Sequence, residues 1–270
     1  MECAMKCYDN CEGFFFNIHN GLCSLYNQRF VSMTFVNNNG TQAYEDVSRL
    51  LPDCYDVMMK GGKTNRVYTI QPRDAGGPIN VWCEISDNQG WLVFQRRTDG
   101  SVNFDRTWNE YRDGFGDLNN EFWLGNTNIH RITRQGHYDL TIDLEDFEGN
   151  TKYALYKNFS VASEQDYFRL SLGEYSGNAG DSFHKHSGYN FTTKDRDLDT
   201  HPDNNCAVRF SGGWWYNRCH SANLNGLYLN GSQSSYADGV NWKAWRGLHY
   251  SLKRTTMKIR PMEFKNNQGD

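Results

Sequence analysis

The chain lacks several features by which common protein classes are recognised. It has no run of lysine or arginine and a net charge of −4, so the sequence does not predict a basic surface that binds nucleic acid. No apolar run approaches the roughly 20 residues that a membrane span requires, which predicts no membrane insertion. A phosphate-binding glycine loop, a dinucleotide fingerprint and a Gly-x-Ser-x-Gly motif are also missing. We therefore expect a binding protein and not an enzyme.

The start of the chain lacks a secretory signal. Met1 is followed at once by Glu2 and Cys3, with neither a basic start nor an apolar stretch. We therefore expect a fragment whose signal peptide, and any oligomerising segment, lie upstream.

Aromatic residues and glycine are abundant. Aromatics make up 15% of the 270 residues although hydrophobic residues reach only 38%, and there are 25 glycines. This composition predicts a core of Trp, Tyr and Phe with many turns. The length permits one large domain, or a large domain with a small one.

The eight cysteines are grouped by position: four near the start, Cys3, Cys7, Cys11 and Cys23, and two sparse pairs, Cys54 with Cys83 and Cys206 with Cys219. Their even number predicts disulfides in an oxidising, extracellular compartment, with a zinc site in the first group as the alternative. Four glycosylation sequons agree with secretion, at Asn39, Asn158, Asn190 and Asn230.

The pattern divides the chain into residues 1–46, a linker at 47–53, a large domain at 54–264 and a tail at 265–270. Within the large domain, apolar runs predict strands at 67–70, 81–85, 91–95 and 138–144. Helices are predicted at 107–115 and 127–134. Beyond about residue 175 periodicity fades into a long loop-rich region, which is uncommon unless the loops are functional and tied by metal or disulfides.

Residues 1–46 resemble part of a PAN/apple module, in which a helix is attached to a small sheet. Cys3, Cys7 and Cys11 recur every four residues, as on one face of a short helix. The stretches 14–17 and 22–26 predict two strands around an Asn-Gly turn. The expected pairing is Cys3 with Cys23 and Cys7 with Cys11.

An acidic loop precedes Cys206. Alternate carboxylates at Asp195, Asp197 and Asp199 suit a hard cation such as Ca²⁺. An EF-hand beginning at Asp195 is excluded, because its sixth position would be Thr200 and not glycine. Gly212 to Tyr216 follow with an aromatic cluster typical of a small-ligand surface. The alternatives for His184 and His186 are a metal pair and two solvated loop histidines, of which the second is favoured on a polar loop.

Ordered sequence blocks from Cys54 to Pro261 closely resemble the fibrinogen-related domains of fibrinogen chains, ficolins, tachylectins and angiopoietins. The blocks include residues 90–101, 121–126, 177–182, 219–226 and 257–261. The resemblance implies an α+β fold: a small piece with a Cys54–Cys83 bridge, a central twisted antiparallel sheet flanked by helices, and a loop-rich C-terminal piece that contains a calcium loop and a ligand pocket.

The same resemblance assigns site residues. Asp197 and Asp199 become the calcium carboxylates, and the carbonyls of His201 and Asn204 complete the shell. Asp203 is the alternative to Asn204, since one extra residue precedes Cys206 here. For an acetyl group the implied pocket residues are Phe210, Cys219, His220, Tyr236, Ala237 and Leu248, with a cis peptide bond between Cys219 and His220.

Two functions follow from these assignments. The leading hypothesis is a secreted, calcium-dependent, lectin-like protein that recognises acetylated glycans of the N-acetylglucosamine type in innate immunity, working as a homo-oligomer because single sugar sites are weak. The alternative is an extracellular module of angiopoietin or tenascin type that binds a protein receptor. Leu248 favours the alternative, because some acetyl-binding members have an aromatic residue there.

Overall fold

The structure is a computed structural model of the chain. It describes residues 50–86 and 89–262, and the backbone of four strands before residue 47. The chain divides into two compact units: Met1–Pro52 with Thr69–Ile79, and Asp53–Tyr68 with Asn80–Asp270. No helix among the described residues is long and apolar enough to cross a bilayer.

Eighteen strands and five α-helices are described. The first strands are β1 (Gly13–Asn17), β2 (Leu22–Tyr26), β3 (Met33–Asn38), β4 (Thr41–Asp46), β5 (Arg66–Ile70), β6 (Ile79–Ser86), β7 (Gln89–Arg97), β8 (Phe115–Gly116) and β9 (Phe122–Trp123). The remaining strands are β10 (Tyr138–Glu145), β11 (Thr151–Val161), β12 (Leu170–Ser171), β13 (Tyr175–Gly177), β14 (Ala222–Asn223), β15 (Gly231–Ser232), β16 (Asn241–Trp242), β17 (Tyr250–Ser251) and β18 (Arg254–Pro261). The helices are α1 (Cys54–Met59), α2 (Trp108–Asp113), α3 (Asn126–Thr133), α4 (Cys206–Phe210) and α5 (Lys243–Arg246).

In the first unit, β1 to β4 form an antiparallel sheet in the order β2-β1-β4-β3. The predicted hairpin is confirmed, since β1 pairs with β2. The helix predicted around Cys3, Cys7 and Cys11, the pairing with Cys23, and Asn39 lie outside the described residues. The PAN/apple resemblance stays a prediction.

The second unit is built on an antiparallel sheet in the order β12-β11-β10-β18-β7-β6. The predicted strands and both predicted helices are present, which confirms the antiparallel α+β fold. Leu140, Ile142 and Leu144 are buried as predicted. Asp53 begins α1 by accepting the Asp56 N–H at 3.0 Å, and its other oxygen accepts the Tyr138 hydroxyl at 2.8 Å, so one carboxylate ties helix to sheet.

A buried ion pair joins the sheet to the loop-rich region. Glu121 accepts four backbone N–H groups, from Thr98, Asp99, Gly100 and Val102, at 2.7 to 3.1 Å. Its partner Arg97, 3.7 Å away, donates to the carbonyls of Leu224 and Gly226. The loop after β7 and the segment before β15 are therefore fixed by the same pair.

Aromatic rings form the core beneath the loop-rich region. Trp123 packs 6.0 Å from Trp215, and Trp215 packs 5.4 Å from Trp214, between ring centroids. Trp214, Trp215 and Tyr216 are fully buried, so the prediction that this cluster forms a ligand surface is wrong. With few aliphatic side chains in this part of the chain, the rings are needed to fill the interior.

Candidate functional site

Helix α4 presents one wall of the site. Asn205 begins this helix, because its side-chain oxygen accepts the N–H groups of Ala207 and Val208 at 2.8 and 3.2 Å. Its amide also donates to the Thr193 carbonyl at 2.9 Å. The Cys206–Cys219 disulfide, which is present together with Cys54–Cys83, closes the segment on which α4 lies.

The acidic loop has two separate parts. Asp195 accepts the Trp108 N–H and the Thr193 hydroxyl, each at 2.8 Å, and so ties the loop to the first residue of α2. Asp199 instead accepts the N–H groups of His201 and Cys206, both at 2.7 Å.

Asp197 lies beside Asp199 and accepts its backbone N–H at 3.3 Å. Burial raises the pKa of Asp199, the N–H groups of Cys206 and His201 oppose this, and the Asp197 carboxylate adds to the rise. A cation placed between the two carboxylates would remove this repulsion.

The oxygen set available near these carboxylates suits a hard cation. In the part of the chain that the structure describes, no group donates to the carbonyls of His201 or Asn204. The same described residues contain no cluster of three or more His, Cys, Asp or Glu side chains suited to a metal, so this site offers only two side-chain ligands. Two carboxylates, two carbonyls and water would satisfy the six to eight oxygens that Ca²⁺ takes, and the residues present therefore fit this ion.

The predicted pocket residues come together. The Phe210 ring meets the His220 ring edge-on, at 4.7 Å between centroids and 89°. His220 Nε2 donates to the Ala237 carbonyl at 2.9 Å, and the Ala237 N–H donates to the Leu248 carbonyl at 2.9 Å. Tyr236, the preceding residue, is 56% exposed. One continuous set of contacts thus joins α4 to the segment before β17.

Some polar groups at this pocket have a hydrogen-bond partner among the described residues, and others have none. Burial, followed by the nearby His186, lowers the pKa of His220 to about 3, so the ring is neutral near pH 7. Because Nε2 donates, Nδ1 carries no proton, and this buried atom has no partner among the described residues. The backbone N–H groups of Cys219 and His220 likewise donate to none of those residues.

The cis peptide bond was predicted at the wrong position. It joins Arg218 to Cys219, one residue before the predicted Cys219–His220 bond. The Asn217 N–H donates to the Cys219 carbonyl at 2.8 Å and so closes the backbone across the observed bond. No residue type marks a cis bond that lacks proline, so the sequence could not fix its place.

His186 is a site residue that sequence reasoning missed. It is fully buried, so its interpretation as a solvated histidine is wrong. Nδ1 donates to the Trp215 carbonyl at 2.7 Å, and Nε2 accepts the N–H groups of Ser221 and Ala222 at 3.2 Å. Burial lowers its pKa to about 4. His186 therefore supports the backbone that follows His220.

Two further exposed residues lie beside the predicted pocket residues and were not predicted from the sequence. His249 is exposed, and its ring packs edge-on against Tyr236 at 5.3 Å. Arg209 is exposed beside Phe210. Arg209 directly precedes Phe210, and His249 directly follows Leu248. This adjacency to predicted pocket residues is the sequence feature from which they could have been predicted.

The predicted glycosylation sites differ in accessibility. Asn158 and Asn230 are exposed, and both adopt positive φ angles of 50° and 53°. Asn190 is half-buried, between Tyr189 and the buried Phe191. Glycosylation at these positions stays a prediction.

Comparison with known proteins establishes the family. Residues 50–262 match the model of the C-terminal globular domain of fibrinogen beta and gamma chains. The chain belongs to this family.

Two relatives and one solved structure show the range of the family. Fibrinogen C domain-containing protein 1 of Xenopus tropicalis is 52% identical over 220 residues, which are 79% of this chain and 48% of the relative. Techylectin-5A of Tachypleus tridentatus is 47% identical over 218 residues, 78% of this chain and 74% of that protein. The fibrinogen-like globe domain of human ANGPTL2 superposes with a TM-score of 0.76 at 46% identity, covering 78% of this chain and 99% of that one. The chain thus spans about half the length of the first relative.

Proposed function

We propose that this chain is a lectin-like recognition module that binds acetylated saccharides without breaking a bond. The observation that supports it most is the junction of Phe210, His220 and Ala237, where Ala237 directly follows the exposed Tyr236. These residues come from two distant segments of the chain, and their contacts place apolar and hydrogen-bonding groups around one point. The name of Techylectin-5A, a relative at 47% identity, agrees with such a role.

Each pocket group has a task in this proposal. The rings of Phe210 and Tyr236 and the side chain of Leu248 surround the acetyl methyl group. The N–H groups of Cys219 and His220, which lack acceptors among the described residues, donate to the acetyl oxygen. A small pocket with apolar walls and a few fixed donors selects a ligand by shape and hydrogen bonding together.

Calcium is the proposed cofactor, held by Asp197 and Asp199 and by the carbonyls of His201 and Asn204. When bound, it supplies positive charge that neutralises the paired carboxylates. Contacts within the chain support this coupling: Asp199 accepts the Cys206 N–H at the first residue of α4, and α4 ends at Phe210. Ordering the acidic loop therefore also orders the pocket wall.

The direct test is retention on an acetylated resin in the presence of Ca²⁺. We expect the protein to be retained, to elute with free N-acetylglucosamine and not with glucose, and to elute with EDTA. Passage through the column without acetyl-dependent retention would overturn the proposal.

Two variants separate the pocket from the cation site. Tyr236→Ala should weaken N-acetylglucosamine binding about tenfold, as expected for loss of one aromatic contact with its hydroxyl, and leave calcium uptake unchanged. Asp199→Asn should instead reduce calcium uptake. Normal sugar binding by Tyr236→Ala would place the site elsewhere.

A protein-binding module of angiopoietin or tenascin type is the second proposed function. Leu248 favours it, because an aliphatic residue at this wall cannot stack on a sugar ring. The likeness to the ANGPTL2 globe domain is consistent with it. Receptor binding that survives Tyr236→Ala and excess N-acetylglucosamine would support this second function.

The cellular setting is proposed from the same residues. Disulfides persist in oxidising compartments, so we place the protein outside the cell, where acetylated microbial glycans would make it a component of innate immunity. Single sugar sites bind weakly, and a homo-oligomer would raise the avidity by about 10² to 10⁴.

A further inference from the structure

Arg196 lies between two aspartates of the acidic loop. Asp195 precedes it and Asp197 follows it in the sequence. Its backbone N–H donates to the Thr193 carbonyl at 3.1 Å, and its own carbonyl accepts the Thr193 N–H at 3.0 Å. The backbone of Arg196 is therefore fixed within the loop that is proposed to hold calcium.

The side chain of Arg196 contacts two aromatic rings. Its guanidinium carbon lies 4.2 Å from the centre of the Trp108 ring and 5.2 Å from the centre of the Tyr167 ring. Trp108, the first residue of α2, is buried, whereas Tyr167 is 39% exposed. We call these two residues the ring pair. A cation within about 6 Å of a ring centre is attracted by the electron-rich face of the ring, so the ring pair holds the guanidinium in place.

The ring pair holds a guanidinium that has no other partner. Within the part of the chain that the structure describes, the Arg196 guanidinium forms neither an ion pair nor a hydrogen bond. Two other arginines also lie over two rings, but both have polar partners. Arg96 donates to the Leu118 carbonyl at 3.1 Å, and Arg246 pairs with Asp146 at 2.7 Å. Arg196 differs from them because aromatic rings, and no carboxylate, hold its charge.

The proposed calcium carboxylates accordingly have no cationic partner. Asp199 accepts the backbone N–H groups of His201 and Cys206, and Asp197 accepts that of Asp199, so all of these donors are neutral. A guanidinium presents two parallel N–H groups that match the two oxygens of a carboxylate. If Arg196 paired with Asp197 or Asp199, it would occupy oxygens that a calcium ion requires.

We infer that the ring pair keeps the Arg196 guanidinium away from the calcium carboxylates and thereby raises the calcium affinity of the acidic loop. This inference rests on the proposed calcium site and adds to it the residues that keep its oxygens accessible. One exposed contact between a cation and a ring changes an equilibrium by about two- to fivefold. Loss of one ring should therefore weaken calcium binding by about that factor.

The experiment is calorimetric titration of Ca²⁺ into the calcium-free chain. Tyr167→Leu should bind calcium about two- to fivefold more weakly than the unmodified chain. Tyr167→Phe, which keeps the ring, should bind it with unchanged affinity. Tyr153→Leu, which changes an exposed tyrosine of β11, is the matched control and should also bind it unchanged. Unchanged affinity in Tyr167→Leu would overturn the inference.

A second pair of variants tests whether Tyr167 acts through Arg196. In a chain that already carries Arg196→Gln, Tyr167→Leu should have no further effect on the calcium affinity, because no guanidinium remains to be held. An equal loss in both backgrounds would show that Tyr167 supports the loop by packing alone and would contradict the inference. Failure of the unmodified chain to bind calcium would instead overturn the proposed calcium site, and the inference with it.

Discussion

At the scale of single residues, two neutral histidines support the proposed pocket. His186 fixes the backbone at Ser221 and Ala222, and His220 fixes the backbone at Ala237. Each ring uses one nitrogen as a donor, and His186 uses the other as an acceptor. Protonation would turn the acceptor of His186 into a donor that faces two further donors, so these contacts require the neutral form.

Stability should therefore fall in mild acid. Burial lowers the pKa of His186 to about 4, below the ordinary histidine value of 6.5. Between these values the unfolded chain binds the proton and the folded chain does not, so the free energy of unfolding decreases as the pH falls. His186 alone should remove about 1.5 kcal/mol between pH 6.5 and pH 5. Urea denaturation at a series of pH values measures this, and an unfolding free energy that stays constant over that range would contradict it.

The residues of the site were predictable to different degrees. Asp197, Asp199 and Tyr236 stand in sequence patterns that the family resemblance assigns directly. The role of His186 was not predictable, because it depends on a fold that brings residue 186 against residues 221 and 222. Its position in a polar stretch with His184 favours solvation, and only the tertiary structure shows that it is buried.

At the scale of secondary-structure elements, the length of a strand decides whether it can be predicted from the sequence. β7 and β10 are long enough for an apolar pattern to emerge, and both were predicted. β14 to β17 have two residues each, and a periodicity cannot be recognised in so short a segment. Such strands depend on side chains elsewhere, and Glu121 with Arg97 is the pair that holds the segment at 224–226.

Removal of the Glu121 carboxylate should destabilise this region strongly. In Glu121→Ala, four N–H groups lose their acceptor and the buried Arg97 loses its counter-ion, which should cost about 3–5 kcal/mol. Urea denaturation compared with Glu174→Ala, an exposed glutamate whose loss should cost about 0.5 kcal/mol or less, measures the difference. Equal stability of the two variants would show that the pair does not fix the loops.

At the scale of the whole molecule, the second unit contains every proposed site residue. Its sheet and aromatic core position segments that have little regular structure of their own. The family blocks predicted this architecture, and composition predicted an aromatic core. Composition could not show which rings are buried, because burial of Trp214 and Trp215 depends on packing between distant segments. The boundaries at residues 46, 53 and 264 stay predictions.

The most direct measurement is a crystal structure of the chain grown with Ca²⁺ and N-acetylglucosamine. The account predicts a cation with carboxylate oxygens of Asp197 and Asp199 at about 2.3–2.6 Å, and the acetyl group against Phe210, His220 and Tyr236. An acidic loop without a cation, or a sugar bound away from these three side chains, would contradict it.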